Sequence, residues 1–172
     1  MQPRRVLLIR HAKAADARVD LDRPLAGRGT RQAAAIGAWL EETGRVPDRV
    51  VVSPARRAAQ TWDVAAARLR PHVQPVVDPR IYDNGVEALL AVVRETPGDV
   101  RTVAVVGHNP SIGELAAALD DGRGDPAARR AVESGFPTAG VAVFSLAGPF
   151  ADIAPGTATL DDFTAPHGRR GR

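Results

Sequence analysis

Short aliphatic runs alternate along the chain with longer segments in which apolar side chains recur every three or four positions. The short runs have the length of buried strands, and the longer segments have the spacing of helices with one buried face. The runs predict strands at residues 4–10, 49–52, 73–77, 102–106, 141–146 and 157–163. The spaced segments predict helices at about residues 28–43, 53–69, 86–95, 110–119 and 127–132.

This alternation predicts an α/β fold of three layers, in which helices cover both faces of a central, mostly parallel sheet. The last two strands form a closing pair and predict an antiparallel edge. The sequence contains no internal repeat and no linker, so we expect residues 1–165 to form a single domain. Residues 166–172 are basic, and we expect a solvated tail there, with an electrostatic contact to a partner as the alternative.

The composition is that of an ordinary globular protein, with 44% hydrophobic and 25% charged residues. No apolar run reaches the roughly 18 residues of a membrane-spanning helix, and the beginning of the chain lacks the pattern of a signal peptide. Cysteine is absent, which excludes disulfides, thiol catalysis and cysteine-based metal sites. These features favour the cytoplasm.

The basic residues are almost all arginine. Lys13 is the single lysine, and the other 22 of the 23 basic side chains are guanidinium groups. Arginine can bind two oxygens of a phosphate at once, whereas lysine acts as a point charge. The formal net charge is only +3, and the arginines are scattered among acidic residues, which argues against nucleic-acid binding.

Polar side chains follow three of the predicted strands at the points where the strands end. Arg10 and His11 follow the first strand, Ser53 follows the second, and His108 follows Gly107 after the fourth. In an open α/β sheet, ligands bind outside the carboxyl ends of the strands. The helices that begin after the second and fourth strands would also point main-chain N–H groups at an anion. This combination indicates phosphoryl chemistry on histidine.

Two neighbouring arginines, Arg56 and Arg57, fall in the first turn of the second predicted helix. Adjacent helical residues point about 100° apart, so both cannot face one pocket. We expect one of them to be solvated, and the spacing alone does not say which.

The strings LIRHAKA, SPARRAAQT and VGHNP resemble the histidine phosphatase superfamily, also called the phosphoglycerate mutase-like or RHG-motif family. The RHAKA string, the short chain and the segment DRPLAGRG at residues 22–29 resemble its smaller branch of bacterial phosphohistidine phosphatases, the SixA type. The three motifs span residues 9–113, and together they are far more specific than any one alone. The resemblance implies a phosphoglycerate mutase-like fold.

The resemblance also implies roles, position by position. His11 matches the nucleophilic histidine and Arg10 its phosphate-binding neighbour. Arg57 matches the second arginine and His108 the second pocket histidine, whereas Arg56 falls outside the motif and is expected to be solvated. The residues expected to contact the substrate are Arg10, Ser53, Arg57, His108 and Asn109.

The expected chemistry is attack of a neutral imidazole on phosphorus, which gives a phosphohistidine intermediate that water hydrolyses. The arginines would keep His11 neutral and stabilise the charge on the transferring group, and His108 would donate a hydrogen bond to it. No metal and no cofactor are expected, because the arginines take the role that magnesium has elsewhere.

The general acid is the open question, because Asn109 stands where some family members have an aspartate. Loop carboxylates elsewhere are candidates, but their spacing singles none of them out. These candidates are Asp16, Asp20, Asp22, Asp83 and Glu87. A site without a dedicated acid suits a phosphoramidate, since imidazole leaves more easily than an alkoxide.

The sequence therefore predicts a phosphatase whose substrate is phosphohistidine on a signalling protein. One alternative is a phosphatase of small phosphorylated metabolites or nucleotides. Another is a non-catalytic phosphate-binding module that keeps the pocket; the intact set of Arg10, His11, Arg57 and His108 argues against it.

Overall fold

A computed structural model describes residues 2–166, so the predicted basic tail lies, apart from its first residue, outside the described residues. Within that part of the chain, six strands form one sheet in the order β3-β2-β4-β1-β5-β6. The strands are β1 (Arg4–Arg10), β2 (Arg49–Val52), β3 (Val76–Val77), β4 (Thr102–Gly107), β5 (Val141–Leu146) and β6 (Ala158–Thr164). The helices are α1 (Gly27–Glu42), α2 (Arg56–Ala66), α3 (Pro79–Tyr82), α4 (Val86–Arg94), α5 (Ser111–Leu119) and α6 (Pro126–Glu133).

The first four strands in chain order run parallel, and the last two close the sheet as an antiparallel edge. Successive side chains of a strand point to opposite faces of the sheet. Accordingly, Val6 and Leu8 of β1 belong to one buried layer, and Leu7 and Ile9 belong to the other. Helices α1 and α2 cover the second layer, and α4, α5 and α6 cover the first. The predicted three-layer α/β fold with a mostly parallel sheet is confirmed.

Register within the parallel strands decides where the functional residues lie. Arg10 is paired with Gly107, and Val52 is paired with Val106, so β1, β2 and β4 end at the same edge of the sheet. The residues that follow these ends are His11, Ser53 and His108.

Two predicted elements, the second helix and the third strand, differ from the structure by more than one residue at an end. Helix α2 begins at Arg56, because the Ser53 side chain accepts from Ala55 N at 3.2 Å and Ala55 itself is extended. The predicted third strand shrinks to Val76–Val77, an exposed pair at the edge of the sheet, because the preceding Pro75 cannot donate to a ladder.

Helix α3 was not predicted from the periodicity, since four residues are too few to show it. Its sequence signal is local. The Asp78 side chain accepts from Arg80 N at 3.0 Å, and Pro79 occupies the first turn, where its missing N–H costs nothing. The helix matters because it carries Tyr82 to the candidate site.

Helices α1 and α2 lie in close contact where Gly37 of α1 faces the main chain of α2. A Cβ at Gly37 would clash with the carbonyl group of Ala65, whereas a Cβ at Gly27 would meet nothing nearer than Arg31 Nη1 at 3.7 Å. The glycine therefore sets the spacing between α1 and the helix that carries Arg57.

We predict that Gly37→Ala lowers the free energy of unfolding by roughly 2–3 kcal/mol, because the methyl group forces a main-chain shift. Gly27→Ala is the matched control and should be neutral or stabilising by up to about 1 kcal/mol, since alanine favours the helix. Urea unfolding of both variants checks this. Equal stability of the two variants would contradict the assigned contact.

Candidate active site

A cavity of about 520 Å³ opens at the edge of the sheet where β1, β2 and β4 end. Its lining includes Arg10, His11, Arg57 and His108, and the two imidazole centroids lie 5.3 Å apart. The structure thus brings together the four residues that were predicted to act on phosphate.

His11 lies directly after β1, and its ring is held by one short contact. Its Nδ1 lies 2.8 Å from the carbonyl oxygen of Ala12. A carbonyl only accepts, so Nδ1 carries the hydrogen, and the neutral ring has its lone pair on Nε2. Burial lowers the pKa of His11 to about 4, with the charges of Arg57 and Arg10 acting in the same direction and the Ala12 hydrogen bond opposing them.

His108 lies after β4 and is buried with 4% of its surface exposed. Its Nε2 lies 2.8 Å from Ser53 Oγ, and its Nδ1 lies 3.4 Å from Arg57 Nη2. Burial, together with the neighbouring His11 and Arg57, lowers the pKa of His108 to about 3. Both imidazoles are therefore neutral near pH 7.

Arg10 and Arg57 each donate to a main-chain carbonyl group and each have one buried N–H group with no acceptor in the described residues. Arg10 donates from Nη1 to the Phe136 carbonyl at 2.8 Å, and Arg57 donates from Nη1 to the Asp20 carbonyl at 2.9 Å. Within residues 2–166, Nε of Arg10 and Nε of Arg57 are buried without a hydrogen-bond acceptor. Arg4, Arg49, Trp62 and Thr96, which do not line this cavity, also carry such an atom, so the unpaired Nε atoms by themselves do not mark a ligand site.

The structure separates the two adjacent arginines as helical geometry requires. Arg56 is exposed, while Arg57 is 7% exposed and faces the cavity.

Thr61, one turn after Arg57, was not singled out from the sequence. Its Oγ1 accepts from Ala12 N at 3.0 Å and donates to the Arg57 carbonyl at 2.7 Å. This buried hydroxyl joins the main chain next to His11 to the main chain of Arg57. The final threonine of SPARRAAQT was the available signal, since buried hydroxyl groups need partners.

Asp20 is the only candidate acid that lines the cavity; Asp16, Asp22, Asp83 and Glu87 are exposed elsewhere. Its Oδ2 accepts from Tyr82 Oη at 2.7 Å and from Arg57 Nη2 at 3.1 Å. The hydrogen bond from Tyr82, followed by those from Arg57 and Arg23, lowers the pKa of Asp20. The carboxylate is ionised near pH 7 and holds no proton to donate.

The side chains of Ser53 and Asn109, the other two predicted substrate contacts, already hold hydrogen bonds within the protein. Ser53 is fully buried and does not line the cavity, because its hydroxyl group is used by Ala55 N and the His108 ring. Asn109 lines the cavity, but its amide donates to the Phe136 carbonyl at 2.8 Å and accepts from Gly113 N at 3.1 Å. Ser53 therefore reaches the site only through the His108 ring, whereas the Asn109 contact with substrate stays a prediction.

Residues 2–166 contain no group of three His, Cys, Asp or Glu side chains that could hold a metal ion. In the same part of the chain, no helix has the length and apolar character needed to cross a membrane.

Comparison with known proteins gives consistent results. The family model of the histidine phosphatase superfamily (branch 1) matches residues 6–86. Over 130 residues, the chain is 32% identical to the phosphohistidine phosphatase SixA of Escherichia coli, covering 70% of this chain and 77% of that protein.

Two solved structures are similar over nearly the whole chain. A SixA-type protein from Nakamurella multipartitia has a TM-score of 0.85 and 34% identity, covering 96% of this chain and 98% of its own. The protein histidine phosphatase SixA complexed with tungstate has a TM-score of 0.76 and 27% identity, covering 94% and 96%.

The lowered pKa values of His11 and His108 predict that the folded state loses stability as pH falls from 6.5 toward 4. Between these pH values the two histidines bind protons in the unfolded chain, whereas the buried rings of the folded protein stay neutral. At pH 5 the loss should be roughly 2 kcal/mol per ring. Urea unfolding at pH 7 and pH 5 checks this, with a His11→Asn, His108→Asn double variant as the control. If that variant keeps the full pH dependence, the rings are not its source.

Proposed function

Because the chain belongs to the histidine phosphatase superfamily, we propose that it is a phosphatase that works through a phosphohistidine on His11. The observation that carries this proposal is the hydrogen bond from His11 Nδ1 to the Ala12 carbonyl. It leaves Nε2 with the lone pair at neutral pH, beside two guanidinium groups suited to a phosphoryl oxygen.

The reaction then has two displacements. Nε2 of His11 attacks phosphorus, a P–N bond forms, and the bond to the leaving group breaks with its electron pair going to the leaving group. The phosphorylated ring carries positive charge, and the Ala12 carbonyl stabilises that charge through Nδ1–H. Water then attacks phosphorus, the P–N electron pair returns to Nε2, and inorganic phosphate is released.

Arg10 and Arg57 would stabilise the transferring group. Both side chains line the cavity, and a guanidinium group can bind two oxygens of an oxyanion at once. The related SixA protein forms a complex with tungstate, a tetrahedral oxyanion, which supports the binding of a phosphoryl group by a protein of this fold.

We assign phosphohistidine on a signalling protein of the cytoplasm as the substrate. Among the described residues that line the cavity, Asp20 is the only carboxylate, and it is ionised by Tyr82 and Arg57. An alkoxide leaving group would therefore find no protonated carboxyl group among these residues. A phosphohistidine that is protonated on its other ring nitrogen releases neutral imidazole and needs none. The E. coli relative carries the name phosphohistidine phosphatase, which supports the same substrate class.

We predict that kcat/KM for a histidine-phosphorylated phosphotransfer protein exceeds that for sugar phosphates and nucleoside monophosphates by roughly 100-fold or more, the scale of a missing general acid. Measuring phosphate release from all these substrates under the same conditions checks the substrate assignment. Faster hydrolysis of any metabolite ester would replace it with a metabolite phosphatase. Binding of phosphate without turnover of any substrate would indicate a non-catalytic module.

We predict that Arg57→Ala lowers kcat/KM for p-nitrophenyl phosphate by roughly 10²–10³-fold, the cost of losing one donor to the transition state. Arg56→Ala is the matched control one residue away, and it should leave activity within about twofold because surface arginines rarely matter. The reverse pattern would overturn the assignment.

The same assays include His11→Ala, which should abolish both turnover and the acid-labile, base-stable phosphate label on the enzyme. A label that survives in His11→Ala would place the nucleophile elsewhere.

A further inference from the structure

We propose that Ser53 is a positioning residue that fixes the tautomer of His108, so that Nδ1 carries the hydrogen and donates to the phosphoryl group. The donor role rests on the proposed function, whereas the tautomer itself does not. Ser53 never touches the substrate in this proposal. It acts through a ring nitrogen on the far side of His108 from Arg57.

The hydroxyl group of Ser53 has two polar neighbours in the described chain. Oγ lies 3.2 Å from Ala55 N and 2.8 Å from His108 Nε2. The main-chain N–H of Ala55 can only donate to Oγ. The hydroxyl hydrogen can therefore be used only on His108 Nε2, and a fully buried hydroxyl hydrogen without an acceptor is costly.

The Ser53 hydrogen bond decides between the two neutral forms of the His108 ring. If Ser53 donates to Nε2, the ring hydrogen is on Nδ1. If the hydrogen is on Nε2, Nδ1 can accept from Arg57 Nη2, but the hydroxyl hydrogen is left unpaired. The 2.8 Å contact with Ser53 is kept in both forms, because the hydroxyl oxygen can also accept from Nε2–H. The hydroxyl hydrogen has an acceptor only in the Nδ1–H form, and that form gives up only the long 3.4 Å contact with Arg57, whose Nη2 still donates to Asp20 Oδ2. The balance favours hydrogen on Nδ1.

A bound oxyanion strengthens the same choice. Nδ1–H of His108 and Nη2–H of Arg57 are both donors, and at 3.4 Å they do not satisfy each other. A phosphoryl oxygen near both groups would accept from each. Ser53 thus prepares in the free protein the form of His108 that the phosphoryl group needs, which avoids a proton rearrangement during the reaction.

The position of Ser53 also explains why its side chain does not cap α2, although a serine followed by a proline has the sequence of a helix cap. Its hydroxyl group turns toward His108 on the neighbouring strand end, and α2 begins only at Arg56. The parallel pairing of β2 with β4 brings the two residues together, since Val52 and Val106 are partners in the register.

Nitrogen-15 NMR measures the tautomer directly, because a protonated and an unprotonated ring nitrogen have very different shifts. The chain has four histidines, so substitution of the other three one at a time assigns His108. We expect Nδ1–H in the wild type, with and without inorganic phosphate. In Ser53→Ala the free protein should shift toward the Nε2–H form, and phosphate should partly restore Nδ1–H.

In turnover assays with p-nitrophenyl phosphate, Ser53→Ala should lower kcat roughly tenfold with KM little changed. This is less than the roughly 10²-fold or larger loss expected when a transition-state donor is removed outright. His108 can still donate from Nδ1 in Ser53→Ala, and only the preference for the Nδ1–H tautomer is lost. Ser53→Thr keeps the hydroxyl group and should restore the Nδ1–H form and most of the kcat.

Ser111→Ala is the matched control. Ser111 is also fully buried, and its Oγ donates to the main-chain carbonyl of His108 at 3.1 Å rather than to the ring. We expect this variant to keep the wild-type tautomer and to stay within about threefold in kcat, because the loss of a buried serine hydroxyl away from the ring affects mainly stability.

Three results would each overturn the proposal, and the first two come from NMR: Nε2–H as the dominant form in the phosphate-bound wild type, or an unchanged tautomer in Ser53→Ala. Equal kcat losses in Ser53→Ala and Ser111→Ala would also overturn it, because a general packing effect would then be sufficient. If the wild type hydrolyses no phosphate ester or phosphoramidate, the proposed function fails, while the NMR result still decides the tautomer.

Discussion

Parallel pairing of β1 with β4, and of β4 with β2, is the constraint on which the site depends. The register of these strands ends all three at one edge, and the chain places His11, Ser53 and His108 in the next positions. No contact within a single helix or loop could bring residues so far apart in sequence to one cavity. The aliphatic layers on both faces of the sheet hold that register, because a slip by one residue would turn buried side chains toward the wrong face.

The buried polar groups of the cavity lower the stability of the folded state. Two neutral imidazoles and two guanidinium groups line the cavity, and some of their donors have no acceptor in the described chain. Such groups reduce stability, and proteins keep them where function requires it. Hydroxyl groups of Ser53 and Thr61, and the Ala12 carbonyl, compensate by holding the functional groups from behind. The fold thus stabilises a site that is unfavourable by itself.

The sequence was sufficient for the elements that carry a strong pattern. The bounds of β1, β2 and β5 agree with the aliphatic runs, because burial on both faces leaves an uninterrupted apolar signal. Helical spacing limited Arg56 and Arg57 to one pocket residue, but only the family motif and then the fold selected Arg57. The role of Ser53 was out of reach, since a strand-end serine before a proline has the local signature of a helix cap, and its partner is 55 residues away. Asp20 could not be distinguished from other loop carboxylates, because its partners come from α2 and α3.

In the proposed reaction, the contacts of Asp20 with Arg57 have a consequence for the release of phosphate. When inorganic phosphate departs, the guanidinium group of Arg57 is not left buried without a counter-charge, because a carboxylate on the same chain is already at hand. An anion tethered in this way competes at a high effective concentration. The Asp20 carboxylate therefore opposes rebinding of inorganic phosphate, so a site that binds an oxyanion tightly can still release it.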